Sequence, residues 1–463
     1  MTTTPVTGLA RVTVATPDRR IDLALPSNVA LAGLLPSLMQ HAGESFADAG
    51  ETHGGWSLRR TDGTELRTDL SLGAQEVRDG ELLHLVPRYA EWPEPDYDDV
   101  VHTIAAGSRR HGKPWEPATT RRAALTVGTS LLTVALVVLL LSGPSWLVPG
   151  IVALVLAVIL VVTGIALSRA MADSMAGVWV AGVGLPFAFT GGFLVIAGEE
   201  PLAELGAPSL LLGSVLLCGA ALIGYGGVAD RTRVFAAGVV LGLVGTLAAA
   251  ITLAGLETTE AASVALTVVV LLSPMAPLMA IRLGKIPVPE LPETAGDILE
   301  DQPRTPAPKT FAAVARADDI LTGVLLGGSI AAAICLVMVG WSGGVATSLL
   351  AGLCTAALLM RTRMFLATRQ RVPLLVSGLI GAATLTVGLS MMLPPALRSL
   401  VAVLVLALVA AGVIAGGLVY SRRQASPYVG RFLELLDTVV LITIIPVACA
   451  AVGVYATVRG YFG

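Results

Sequence analysis

The chain has 463 residues, of which 54% are hydrophobic and 14% charged, against roughly 45–50% apolar and about 25% charged in a soluble domain. Its mean hydropathy of +0.79 excludes an ordinary soluble enzyme and points to a chain that crosses a membrane many times. The net charge of −3 leaves no bulk basic character with which to attract nucleic acid.

The polar residues gather at one end. All 5 His (His41, His53, His84, His102, His111) precede residue 112, and 17 of the 33 acidic and 13 of the 30 basic residues lie within the first 122. The opening MTTTPVTGLARVTVA lacks the basic segment and apolar run of a secretory signal, so the polar region is expected to stay on the side where it is made. Residues 1–8 read as a flexible N-terminus and 9–88 as a small α+β domain. In this domain Ala10, Val12 and Val14 alternate with polar residues, as do Ile21, Leu23 and Leu25, which is the period of half-buried strands. Pro17-Asp18 between them suits a hairpin turn. Leu31, Leu34, Leu35, Leu38 and Met39 follow a helical stripe, with Ser27 or Asn28 as N-cap and Pro36 as a point of kinking or splitting. Trp56 and Leu58 begin a third strand, Asp62-Gly63 marks a turn, and ELLHLVP at 81–87 closes the domain.

Residues 89–122 form a charged linker, acidic first (Glu91, Glu94, Asp96, Asp98, Asp99) and then basic (Arg109, Arg110, Lys113, Arg121, Arg122). Its basic end adjoins the first apolar stretch, where it suits anionic lipid, and Trp92 and Trp115 are candidates to dock at the membrane or on a partner. A plain solvated tether is the competing reading.

From 123 to 460 the sequence suits lipid. A spanning helix needs about 20 mostly apolar residues. Stretches 123–168 and 320–360 each hold two spans, and 174–198, 205–229, 234–256, 261–281, 372–397, 399–421 and 438–458 hold one each, giving eleven. With the N-terminus placed in the cytosol, inner loops carry 20 Lys and Arg, and the outer side carries Arg398 and Arg459. That asymmetry obeys the positive-inside rule and puts the C-terminus outside. Between the sixth and seventh spans, the Pro-rich loop 284–319 with Glu290, Glu293 and Asp297 reads as a cytosolic docking surface.

The spans hold almost no chemistry. They contain no His, no Lys and no acid at mid-depth, and the nearest acids are Asp173, Glu434 and Asp437. Asp173 suits the start of the third span. The four Cys fall singly in apolar runs and read as small hydrophobic residues. No nucleotide cradle of the form G-x-x-x-x-G-K-[ST] is present, and neither a cofactor nor catalytic chemistry is expected. Three glycine pairs, Gly238/Gly242, Gly323/Gly327 and Gly412/Gly416, place small residues four apart on three helices, the spacing that lets backbones approach closely. They suggest packing within the bundle or between copies. Gly182, Gly184 and Pro186 are possible kinks in the third span, and Pro446 in the last.

The β-β-α-β-β order resembles the ubiquitin-like roll. The stretch DGTELRTDLSLGAQEVRDGELLHLVPR at 62–88 is similar to the corresponding part of ubiquitin, but Tyr89-Ala90-Glu91 follows and no terminal diglycine. The resemblance implies that His84 and Val86 lie on a partner-binding strand face; an ordinary exposed face is an equally open reading. A ubiquitin-like domain, a charged tether and eleven spans with the C-terminus outside together resemble the EccD family, the polytopic membrane component of actinobacterial type VII (ESX) secretion systems. This likeness implies a structural role in the inner membrane, with a second copy of the chain, with EccB-, EccC- and EccE-like components and with membrane lipids as partners. It implies that paired bundles enclose an apolar vestibule and that EccC supplies the energy. The competing functions are a small-solute transporter or permease and, less in keeping with the scattered polar groups, a lipid-acting enzyme.

Overall fold

The computed structural model describes residues 8–16, 20–42, 55–87, 115, 117–228, 232–287, 307–420 and 427–462. The chain divides into two compact units, Met1–Pro114 and Trp115–Gly463.

In the first unit the alternating segments form strands β1 (Leu9–Ala15), β2 (Arg20–Pro26), β3 (Trp56–Arg60) and β4 (Glu81–Pro87). They make a sheet of order β2-β1-β4-β3, in which β1 runs antiparallel to β2 and parallel to β4, and β3 runs antiparallel to β4. The register pairs Val14 with Leu83 and Leu58 with Leu85. These side chains share one sheet face and form the core with Val12 and Leu25. Helix α1 (Leu31–Ala42) lays Leu31, Leu34 and Leu38 on that core, and Leu66 and Leu72 close it from the 61–80 connection.

Pro36 was expected to kink or split α1, yet the helix continues through it. Burial of the leucine stripe outweighs the one backbone hydrogen bond a proline removes. The N-cap expected at Ser27 or Asn28 also differs, because the helix begins at Leu31. The Ser27 hydroxyl instead donates to the Gly8 carbonyl at 2.6 Å, tying the end of β2 to the start of β1. The turn expected at Pro17-Asp18 lies outside the described residues. At the Asp62-Gly63 turn, the Thr64 amide donates to Asp62 Oδ1 at 2.8 Å, and Gly63 takes the positive φ of 88° that a side chain would resist.

The second unit is helical: α2 (Pro117–Leu140), α3 (Leu147–Ala170), α4 (Ser174–Val195), α5 (Ala207–Gly227), α6 (Arg233–Leu253), α7 (Thr258–Leu272), α8 (Ala276–Gly284), α9 (Ala307–Trp341), α10 (Val345–Arg361), α11 (Thr368–Met391), α12 (Pro395–Tyr420), α13 (Pro427–Ala451) and α14 (Val454–Phe462). Among the described residues, eleven spans are long and apolar enough to cross a membrane, with α7 and α8 counted together as Thr258–Gly284.

Three boundaries depart from the sequence reading. First, α2 begins at Pro117, before residue 123, where proline suits the first turn because its missing N–H has no helical partner there. Second, α9 has 35 residues and absorbs 307–319 of the segment read as a loop. The alanine-rich run Phe311–Ala317 favours helix, and Ala313 and Ala317 are buried, with Gly284 of α8 against Ala317. Third, α13 starts at Pro427 instead of 438 and ends at Ala451, where Gly453 (φ +76°) turns the chain into α14.

Neighbours in sequence pack together along α3, α4, α5 and α6, while α9 lies at the centre and meets α6, α7, α8, α10 and α11. The last span, α13, packs on α10 and α7. The principal neighbour of α12 is α11, and none of residues 402–419 is buried.

Candidate partner and helix-packing surfaces

Without a hydrophobic force between helices in lipid, close backbone approach is what holds spans together. Gly242 of α6 lies against α5, where a methyl group would stand 2.8 Å from Cys218 Cβ and 2.9 Å from the Ser214 carbonyl. Gly238, one turn earlier, meets Ala221 of α5 and Leu185 of α4. Gly323 and Gly327 of α9 face α6, and a methyl at Gly327 would approach the Ala237 carbonyl to 2.4 Å. Gly412 and Gly416 of α12 meet none of the described residues within 4 Å. Two of the three pairs therefore lie at contacts inside the chain, and the third lies on a free face.

The α3–α4 contact is of the same kind, and the GxxxG reading missed it. Gly164 sits against Ala181 and the Gly177 carbonyl, and Gly177 against Ser168. The signal was present as Ala153-x-x-x-Ala157 and Gly177-x-x-x-Ala181, and a small-x-x-x-small search admitting alanine finds it.

The expected partner-binding residues divide in two. His84 and Val86 of β4 are half-buried on the face opposite the Leu83–Leu85 core, and their cross-strand partners are Arg59 and Ser57. Arg59 reaches Glu65 at 3.5 Å, so charge flanks this face. Trp115 is 71% exposed, with its indole N–H donating to Thr120 Oγ1 at 2.7 Å. Trp92, Glu290, Glu293 and Asp297 lie outside the described residues.

Most charged groups of the helical unit gather at helix ends. Asp173 caps α4 by accepting from the Ala176 amide at 3.0 Å and also pairs with Arg121 of α2. Arg169, at the end of α3, donates to the Gly226 and Gly227 carbonyls at 2.8 and 2.6 Å, neutralising the negative end of α5. Asp318 of α9 accepts from Arg369 and from Gln370 of α11. These contacts place the start of α2 and α4, and the ends of α3 and α5, at one rim of the bundle. No group of three or more His, Cys, Asp or Glu among the described residues could hold a metal ion. All four cysteines are free, with Cys335 and Cys354 buried.

An apolar cavity of about 500 Å³ lies between α4, α5, α6, α7 and α9. Leu185, Leu217, Leu241, Ile330 and Met338 help to line it, and its lining contains no ionisable side chain apart from the Cys335 thiol.

One interior cation escaped the sequence reading, which counted Arg361 among the loop charges. Arg361 is 2% exposed at the end of α10. Its Nη1 donates to the Val270 carbonyl and to Ser273 Oγ, at the junction of α7 and α8. No spacing rule signals this role, because it depends on which helix α10 meets in three dimensions.

The profile of the EccD-like transmembrane domain matches residues 120–461. The chain belongs to the EccD family. The profile of the YukD protein of the WXG100 secretion system matches residues 9–85, the ubiquitin-like unit. Among curated relatives, the ESX-4 secretion system protein eccD4 of Mycobacterium tuberculosis is 27% identical over 98% of this chain and 97% of its own length. The ESX-5 secretion system protein EccD5 of Mycobacterium marinum is 26% identical over 93% of this chain and 90% of its own. In fold, the chain resembles protomer 1 of the ESX-3 core complex (TM-score 0.60, 20% identity, covering 97% of this chain and 100% of that one). It likewise resembles a chain of the MycP5-free ESX-5 inner membrane complex (TM-score 0.58, 21% identity, covering 88% and 99%). This EccD-family protein is thus a multi-pass membrane component of a type VII secretion system, as its sequence resemblance implied.

Proposed function

We propose that this EccD-family chain is a structural, non-catalytic subunit of an inner-membrane secretion complex, and that it works as a pair with a second copy. In this reading the two bundles enclose an apolar, lipid-facing vestibule. The ubiquitin-like unit and the 284–319 region dock EccB-, EccC- and EccE-like components, with His84, Val86, Trp92, Trp115, Glu290, Glu293 and Asp297 as contact residues, and EccC supplies the energy. Gly238, Gly242, Gly323 and Gly327 hold the bundle together, and Gly412 and Gly416 are offered to another helix. The N-terminus is cytosolic and the C-terminus extracytoplasmic, a reading that the 20-to-2 distribution of Lys and Arg supports.

The observation that carries this reading is α12, a span with no buried residue from 402 to 419 and a glycine pair that meets no other described part of the chain. Extraction from its native membrane in mild detergent tests the proposal. A large complex containing an ATPase and more than one copy of the chain is expected; recovery only as a lone monomer overturns it. A polar-solute permease would need convergent polar groups in its cavity, whereas the observed cavity is lined mainly by hydrocarbon.

A further inference from the structure

Span α7 breaks where it should not be cheap to break. Pro274 has no N–H, so the carbonyl of Val270, four residues earlier, loses its helical donor. In lipid such a carbonyl has no water to turn to. Two groups replace the donor: Ser273 Oγ, 3.1 Å away, and Nη1 of Arg361 from α10. The guanidinium also lies at the carboxyl end of α7, where a helix favours positive charge.

That arrangement uses one nitrogen of three. Among the described residues, Arg361 Nε and Nη2 are buried and make no hydrogen bond, and neither does the buried Oδ1 of Asp437 on α13. Asp437 is the carboxylate whose charge acts on this guanidinium. A buried cation with two unused donors and a half-buried carboxylate with one buried, unused acceptor, on helices packed side by side, are complementary. We propose that Arg361 and Asp437 are the two halves of an interhelical charge lock, which fastens the C-terminal span α13 to α10 and to the broken span α7. The neighbouring apolar contacts of α13 (Val440, Ile444 and Ala448) belong to the same core cluster as Val270, Cys354 and Leu358. They hold α13 close without specifying its rotation or depth, whereas a charge pair specifies both.

Removing one member of a buried pair leaves an uncompensated charge, and removing both does not. The test is thermal unfolding of the full chain in detergent. Arg361→Met and Asp437→Leu should each lower the midpoint by several degrees, and the double variant should recover at least half of the larger loss. Losses that add in the double variant, or an Asp437→Leu protein that melts like the wild type, overturn the lock. Should either single variant fail to fold, a double variant that folds supports the pairing, and one that also fails overturns it. A third arm isolates the helix break. Pro274→Ala restores the missing N–H, so in that background the loss from Arg361→Met should shrink while the part that comes from the unpaired Asp437 persists. An undiminished loss removes Val270 from the scheme.

Discussion

Helices α4 and α12 are both spans, yet they differ in opposite directions from what soluble proteins teach. The α12 window has a mean hydropathy of 2.7 and no buried residue, whereas that of α4 has a hydropathy of 1.8 and is 56% buried. In water the more apolar helix would be the inner one. In lipid the surroundings are as apolar as leucine, so burial follows fit. α4 carries glycine, alanine and threonine where α3, α5 and α6 come close, and α12 carries the bulky side chains Leu404, Leu408 and Val409 toward the outside. The inner helices are defined by what is missing from their surfaces.

That contrast can be broken most directly at Gly327. The Ala237 carbonyl that faces it is backbone and cannot swing aside, so Gly327→Leu should cost about 3 kcal/mol or more and leave little monodisperse protein on size-exclusion chromatography. Changing Gly412 and Gly416 together to Leu should leave the melting of the lone chain unaltered, since none of the described residues approaches them. If α12 joins a second copy, the same change should abolish cross-linking between copies; intact cross-linking would place the joint elsewhere. The smallest effect belongs to the N-terminal unit. Thr64 hydrogen bonds hold the Asp62 carboxyl below its usual value of 3.8, and Arg67 does the same for Asp69. A depressed folded-state value stabilises above the unfolded one and is lost as pH falls through the folded value. Circular dichroism of residues 1–114 should therefore show slight destabilisation only below about pH 4, and Asp62→Asn should diminish that acid-side loss.

Much of this architecture was legible because it is written in periodicity. The alternation of Val12, Val14, Leu83 and Leu85 gives strands with one inward face, and charge-free runs broken at SGPSW and WSGG give separate spans. Gly238 and Gly323 were singled out by their spacing to Gly242 and Gly327. What the sequence concealed depends on partners distant along the chain. Arg361 resembles any arginine at a helix end until α10 is set beside the Pro274 break. The extension of α9 through 307–319 looks like loop because Lys309, Arg316, Asp318 and Asp319 lower its hydropathy, although its alanines favour helix. The free face of α12 is invisible to hydropathy, which is equally high whether a helix meets lipid or leucine.

The length of α9 has a mechanical consequence. Its 35 residues make a rod about 52 Å long at 1.5 Å per residue, against roughly 30 Å of hydrocarbon, so one end must stand clear of the bilayer. Gly323 and Gly327, where the rod is seated on α6, lie near its middle. Its neighbours also hold it toward both ends, Gly284 against Ala317 and Thr384 against Gly340, so the rod is a beam clamped along its length, and a sideways load on the Phe311 end is shared among the helices it touches.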